Sequence, residues 1–213
     1  MLVVILLINI NVYISENFVS YLTYYFNKII NSMKYVAFLR AVNVGGHNKI
    51  KMEDLKKLFV SIGFKNVKTV IQSGNVIFES PNKSIKSITS KVEDKLFKFM
   101  TKEIKVFVRT QTELLNIVRE NPFGKNRGDD KIKTYVFFLY EEPKEKIKIP
   151  FKTASGKVNV LSKNDLNLFL LVKKVPGKAS SPNDLIEKTF RVRATARNWD
   201  VVCKIMEIAG RSN

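Results

Sequence analysis

Val67-Lys-Thr-Val-Ile71-Gln72-Ser73-Gly74-Asn75-Val76-Ile-Phe78 is two β-branched, aromatic runs joined by a polar tetrapeptide with one glycine. That pattern predicts a hairpin, with strands over Val67–Ile71 and Val76–Phe78 and the turn at Gln72-Ser73-Gly74-Asn75. The flanking segments decide what the hairpin belongs to. Upstream, Met52, Leu55, Leu58, Phe59 and Ile62 fall on one helical face, and Gly63 stops the helix. Before that helix, Lys34 to Ala41 reads as a buried strand. Downstream, Ile85, Ile88, Val92, Leu96 and Phe99 mark a second amphipathic helix, and Ile104, Val106 and Val108 alternate as a strand. The order β-α-β-β-α-β is the ferredoxin-like split arrangement, an α+β fold with both helices on one face of an antiparallel sheet.

The rest of the chain repeats that order. Thr110-Gln-Thr-Glu113 is a capping box that opens a short helix to about Arg119, and Asn121-Pro122-Phe123 ends it. Ile132 to Tyr140 is a strand, and Val158–Leu161 with Leu166–Val172 reads as a hairpin turning near Asn164. Ser181-Pro182-Asn183-Asp184 starts a helix to about Phe190, and Val192 to Thr195 is a short strand. A loop or short helix near Lys144 would be the first crossover. Asn198 caps a last helix on which Trp199, Val202, Cys203, Met206 and Ala209 share a face, so Trp199 and Cys203 read as core. The expected organisation is therefore two tandem ferredoxin-like units, 33–120 and 132–213, with a linker over 121–131.

Residues 1–32 stand apart, with Glu16 and Lys28 as their only charges. They lack the basic start and small-residue cleavage site of a signal peptide, and Asn9, Asn11, Ser15, Glu16 and Asn17 interrupt any spanning helix. Three readings stay open: a misassigned start with Met33 as the natural one, a membrane-associating segment, or an extra docking helix.

The composition is that of a soluble globular protein, 45% hydrophobic and 26% charged, but the net charge is +18. Such a surface attracts nucleic acid, acidic lipid or phosphorylated metabolites, and a Lys-rich coding bias would produce it equally well. One Cys, Cys203, and one His, His47, exclude an intramolecular disulfide and argue against a structural zinc site or a Cys-His engine. The lone Cys suits the cytoplasm. No glycine-rich dinucleotide or phosphate loop is present, so no cofactor is expected.

Arg40-Ala-Val-Asn43-Val-Gly45-Gly46-His-Asn48-Lys49, between the first strand and helix, is an anion-receptive loop: cations at its ends, amides between, and two glycines that let backbone N–H groups approach a ligand. Together with Ile71-Gln-Ser-Gly-Asn-Val76, Asn121-Pro-Phe123 and Ala194-Thr-Ala-Arg197-Asn198-Trp199, the block Tyr35 to Lys49 resembles the motifs of the uncharacterised bacterial family known as domain of unknown function 1697. The resemblance covers about Lys34 to Ala209. It implies an α+β, ferredoxin-like protein, brings no established activity, and offers no catalytic residues to carry over. Members often have a Gly-x-x-Ser-Lys-Leu run where this chain reads Pro176-Gly-Lys178-Ala-Ser-Ser-Pro182, so the lysine is displaced or lost.

The candidate ligand-binding residues are Arg40, Asn43, Gly45, Gly46, Asn48, Gln72, Ser73, Asn75, Arg197 and Asn198, with Arg40 and Arg197 foremost because guanidinium binds planar or phosphorylated anions bidentately. The same amides could instead satisfy loop backbones. His47 reads as a surface residue. Three functions follow. One is a nucleic-acid or anion-binding module, for which Lys133, Tyr135 and Phe137 would offer a stacking face if helices leave it open. Another is an enzyme on a phosphorylated or carboxylated small molecule between the two units, without any evident nucleophile. The last is a scaffold or a dimer formed through sheet edges.

Overall fold

The computed structural model describes residues 18, 20–23, 32–44, 48–126, 129–143, 148–174 and 182–211. The chain forms two compact units, Met1–Ser32 and Met33–Asn213. In the first, residues 18 and 20–23 are helical; the three readings of that segment rest almost wholly on residues outside the described ones. No helix among the described residues is long and apolar enough to cross a membrane.

The second unit is α+β with two antiparallel sheets and a C-terminal helix. Its first half comprises β1 (Met33–Leu39), α1 (Met52–Ser61), β2 (Lys65–Val70), β3 (Asn75–Ser80), α2 (Ile85–Met100), β4 (Val106–Thr110) and α3 (Gln111–Glu120). Its second half comprises β5 (Ile132–Leu139), β6 (Phe151–Lys152), β7 (Val158–Asn164), β8 (Asn167–Lys173), α4 (Asn183–Phe190), β9 (Ala194–Asn198) and α5 (Trp199–Gly210). The sheets run β2-β3-β1-β4 and β6-β7-β8-β5-β9.

The halves match in register. Phe38 of β1 lies opposite Asn75 and Phe107, and Phe138 of β5 lies opposite Asn167 and Thr195. Val36 pairs with Arg109 as Val136 pairs with Arg197. The Leu39 N–H donates to the Gly74 carbonyl and the Leu139 N–H to the Leu166 carbonyl, both at 2.8 Å. The halves differ at the first crossover. The first has α1 there; the second has the short strand β6, and residues 144–147, near which a loop or short helix was expected, lie outside the described ones.

Alternation along each strand assigns its side chains to two cores. Tyr35, Ala37 and Leu39 join Val76, Phe78, Val106 and Val108 beneath Leu55 and Phe59 of α1 and Ile88, Val92 and Leu96 of α2. Val36, Phe38 and Phe107 face the other way, into a core shared with Val136, Phe138 and Phe169 of the second sheet and with α3 and α5. The outer face of the second sheet, with Phe137, Leu168 and Leu170, is covered by Ile186 and Phe190 of α4.

Two readings from sequence need correction. The strand that was expected to end at Thr195 runs to Asn198, because Ala194-Thr-Ala-Arg-Asn198 points a guanidinium, not an apolar chain, into the interior. The Lys133-Tyr135-Phe137 face is no open platform: Phe137 is wholly buried and Tyr135 packs against the same cluster under α4.

Candidate functional site

Arg197 sits in the interior of the second unit. Its Nε donates to the Asn75 Oδ1, its Nη1 to Thr195 Oγ1 at 3.0 Å and to the Ala196 carbonyl at 2.8 Å. Its Nη2 donates to the carbonyls of Leu39 at 2.9 Å and Ser73 at 3.2 Å. A guanidinium has five N–H donors, and every one is directed at a neutral protein acceptor. The cation also lies 5.4 Å from the centre of the Phe38 ring. Burial holds its pKa down, to about 10, because desolvation disfavours the charged form.

Arg109, which sequence reasoning passed over, does the reciprocal work. Its Nε donates to the Asn167 Oδ1 at 2.9 Å, and its Nη2 to the carbonyls of Leu139 and Leu166 at 2.8 Å each. It lies 5.5 Å from the Phe138 ring centre, and Phe38 stacks on Phe138 at 3.9 Å with 11° between planes. A chain of contacts therefore crosses the shared core: guanidinium, ring, ring, guanidinium. Arg109 is also buried, and desolvation lowers its pKa to about 10 against the opposing pull of Glu113 and Asp165. The repeat of position was legible, though not the burial: each arginine directly precedes a helix-capping residue, Thr110 or Asn198, and each half ends its first strand on Phe-Leu.

A second reciprocal pair flanks these latches. Glu187 of α4 accepts from the Ala194 N–H at 2.7 Å and from Arg40 at 2.8 Å. Glu93 of α2 accepts from the Val106 N–H at 2.9 Å, from Tyr140 Oη at 3.2 Å and from Lys105 at 3.3 Å. Each carboxylate thus fixes the start of its own half's last strand and holds residue 40 or 140 of the other half.

The remaining candidates divide between scaffold and surface. Asn43, at φ 55, binds both the N–H and the carbonyl of Ile50 through its side chain at 2.9 Å. Asn48, at φ 48, donates to the Ala41 carbonyl at 3.1 Å. These two amides tie the base of the loop to itself. Asn75 is wholly buried and donates to the Val70 carbonyl and to Ser73 Oγ. Asn198 accepts from the Asp200 N–H at 2.9 Å and caps α5. Gln72 is exposed on its turn. Gly45, Gly46 and His47 lie outside the described residues, as do residues 175–181.

The first, second and fourth sequence blocks meet at one end of the first sheet, joined by Arg197. The third, Asn121–Phe123, meets the fourth in the core, where the Phe123 ring lies 5.1 Å from Trp199. Among the described residues no group of His, Cys, Asp and Glu could hold a metal ion.

A family model described as "Protein of unknown function (DUF1697)" matches residues 33–169. The chain belongs to that family. In this DUF1697 protein the matched span runs from β1 into β8, and the block at 194–199 lies beyond it. No curated protein matches the chain. Among solved structures it is similar to the conserved bacterial protein SP0830 from Streptococcus pneumoniae, with 18% identity, a TM-score of 0.55, and coverage of 83% of this chain and 98% of the other. At that identity the likeness concerns the fold alone.

Proposed function

We propose that this DUF1697 protein is a cytoplasmic, basic module that binds nucleic acid through its phosphates, its two halves being tandem ferredoxin-like units that act as a rigid carrier for lysine-bearing loops. The observation that carries this reading is the exposure of Lys49, Lys51, Lys56 and Lys57 at and just beyond a loop whose base Asn43 and Asn48 stiffen. The chain's net charge of +18 favours a polyanion. With the aromatic face covered by α4, contact rests on backbone phosphates and not on base stacking. The arginine clamp for a phosphorylated or carboxylated small molecule has less support, since Arg197 has no donor left for a ligand and Arg40 pairs with Glu187.

The test is a titration of the full chain with labelled single-stranded RNA and DNA at about 50 and 200 mM salt. Binding is expected to be salt-steep and to weaken roughly tenfold or more when Lys56→Glu and Lys57→Glu are combined, because phosphate contacts dominate such affinity. Arg40→Ala should change it little. Absence of binding at the lower salt, or binding indifferent to the lysine reversals, overturns the proposal.

A further inference from the structure

The sheet face at Tyr135 and Phe137 is closed to a nucleobase, but an aromatic ring stands open at the lysine-bearing end of the first half. Phe99, on the last turn of α2, is 57% exposed, the most exposed aromatic side chain among the described residues. Its spacing belongs to the stripe of Ile85, Ile88, Val92 and Leu96, and length is what brings it out. The 16 residues of α2 span about 24 Å. The 5 residues of β4, the strand on which α2 packs, span about 17 Å. The helix overhangs its support, so the stripe surfaces at both ends, at Ile85 and at Phe99.

Helical spacing fixes the flank on which each ring lies. Glu93 reaches the Val106 N–H of β4, and Phe97, one turn further on, shares that side. There it borders a hollow lined by the carboxylates of Glu93, Asp94 and Glu103. Phe99 belongs to the opposite row, with Lys91 and Lys95 two turns and one turn before it. Lys91 Nζ lies 5.9 Å from the centre of the Phe64 ring, between α1 and β2, so this row faces α1. The two helices cover one face of the first sheet and run in opposite directions. The last turn of α2, with Lys98 exposed beside Phe99, therefore lies at the same end as Lys49, Lys51 and the first turn of α1. Glu53 and Asp54 sit in that first turn, where the helix dipole favours them.

We propose that the polyanion is single-stranded nucleic acid, with one base stacked on Phe99 and the adjoining phosphates along the lysines of α1 and α2. The inference rests on the nucleic-acid reading above and adds to its phosphate contacts a base contact that the closed sheet face does not supply. A duplex covers both faces of each base with its neighbours, so a ring outside it finds nothing to stack on. Every base of a free strand has an open face. The strand keeps to the α1 side of α2, because the carboxylates on the Phe97 flank repel phosphates.

Fluorescence anisotropy of the full chain at about 50 mM salt, with one labelled oligonucleotide alone and annealed to its complement, tests it. The parent chain is expected to prefer the single strand. Phe99→Ala should weaken the single strand roughly tenfold, the loss of one stacked base, and remove the preference. It should leave duplex binding and the salt slope unchanged, because no phosphate contact goes with the ring. Phe99→Trp should keep the affinity of the parent and lose part of its added emission on binding, as a stacked indole does. Phe97→Ala should change neither form. A duplex bound as tightly as the strand, or Phe99→Ala without effect while Lys56→Glu with Lys57→Glu still weakens binding, overturns this inference and leaves the phosphate reading standing. Absence of binding to either form removes both.

Discussion

Arg109 and Arg197 hold matching positions in the two halves, yet only Arg109 has a carboxylate. Glu113 lies 3.2 Å from its Nε and also accepts from the Asn167 Nδ2 at 2.7 Å. At the other latch the equivalent amide, on Asn75, is turned to the Val70 carbonyl and Ser73 Oγ instead, and the residue four beyond Arg197 is Val201. One buried cation is thus balanced by a charge and the other by oriented dipoles alone. A buried guanidinium, it follows, needs acceptors for its N–H groups more than it needs an anion, since each unpaired donor or acceptor in a dry core costs about 1–3 kcal/mol.

The largest expected effect is at the latch without a carboxylate. Arg197→Met should destabilise the chain by about 3–4 kcal/mol in urea unfolding, because it strands the Asn75 amide and the Leu39 and Ser73 carbonyls together. A loss under about 1 kcal/mol would mean that the dipoles do not hold the halves. Next, Gly74→Ala should cost about 2–3 kcal/mol: Gly74 sits at φ +68, and a Cβ there would stand 2.9 Å from that of Leu39. The matching residue in the second half is Leu166, so the reverse change, Leu166→Gly, carries no such clash to relieve.

Glu113→Gln makes the first latch resemble the second. It should cost about 1 kcal/mol, since Glu113 is 25% exposed and the neutral acceptors remain. A loss above about 3 kcal/mol would show that the carboxylate, and not the dipoles, holds Arg109. Arg40→Ala should cost less again, about 0.5 kcal/mol in the same assay, as expected for a half-exposed ion pair. Last is pH. Burial holds Arg197 at about 10, below its ordinary 12.5. The folded chain therefore releases this proton before the unfolded chain does, and this group's contribution to stability rises with pH only above about 10. The stability difference between the parent and Arg197→Met should thus stay flat from about pH 6 to 9 and widen beyond it.

Much of this architecture was legible in the sequence. The hairpin at 65–80, the α1 and α2 faces, the Thr110 cap on Glu113 and the α5 stripe all follow from periodicity and capping chemistry, which are local. The site was legible in position more than in role. Arg40, Gln72 and Arg197 do converge on one end of the first sheet, but a guanidinium's partners are set by residues more than 100 positions away, Asn75 at a separation of 122. No local pattern reports whether such a group faces water or a ring of carbonyls. Arg109 escaped notice for the same reason: Val106-Phe-Val-Arg109-Thr reads as an alternating edge strand with one outward cation.

The stacked Phe38 and Phe138 rings, each beneath an arginine supplied by the other half, bear on how the protein is made. Leu39 meets its donor 158 residues later. While the chain is being synthesised, the first sheet waits with its polar groups open until the last strand leaves the ribosome, and neither half can finish alone. A nick in the loop before β5 would accordingly leave two fragments that stay together as one particle, and a chain cut short of Arg197 would be a substrate for proteases instead of a smaller working protein.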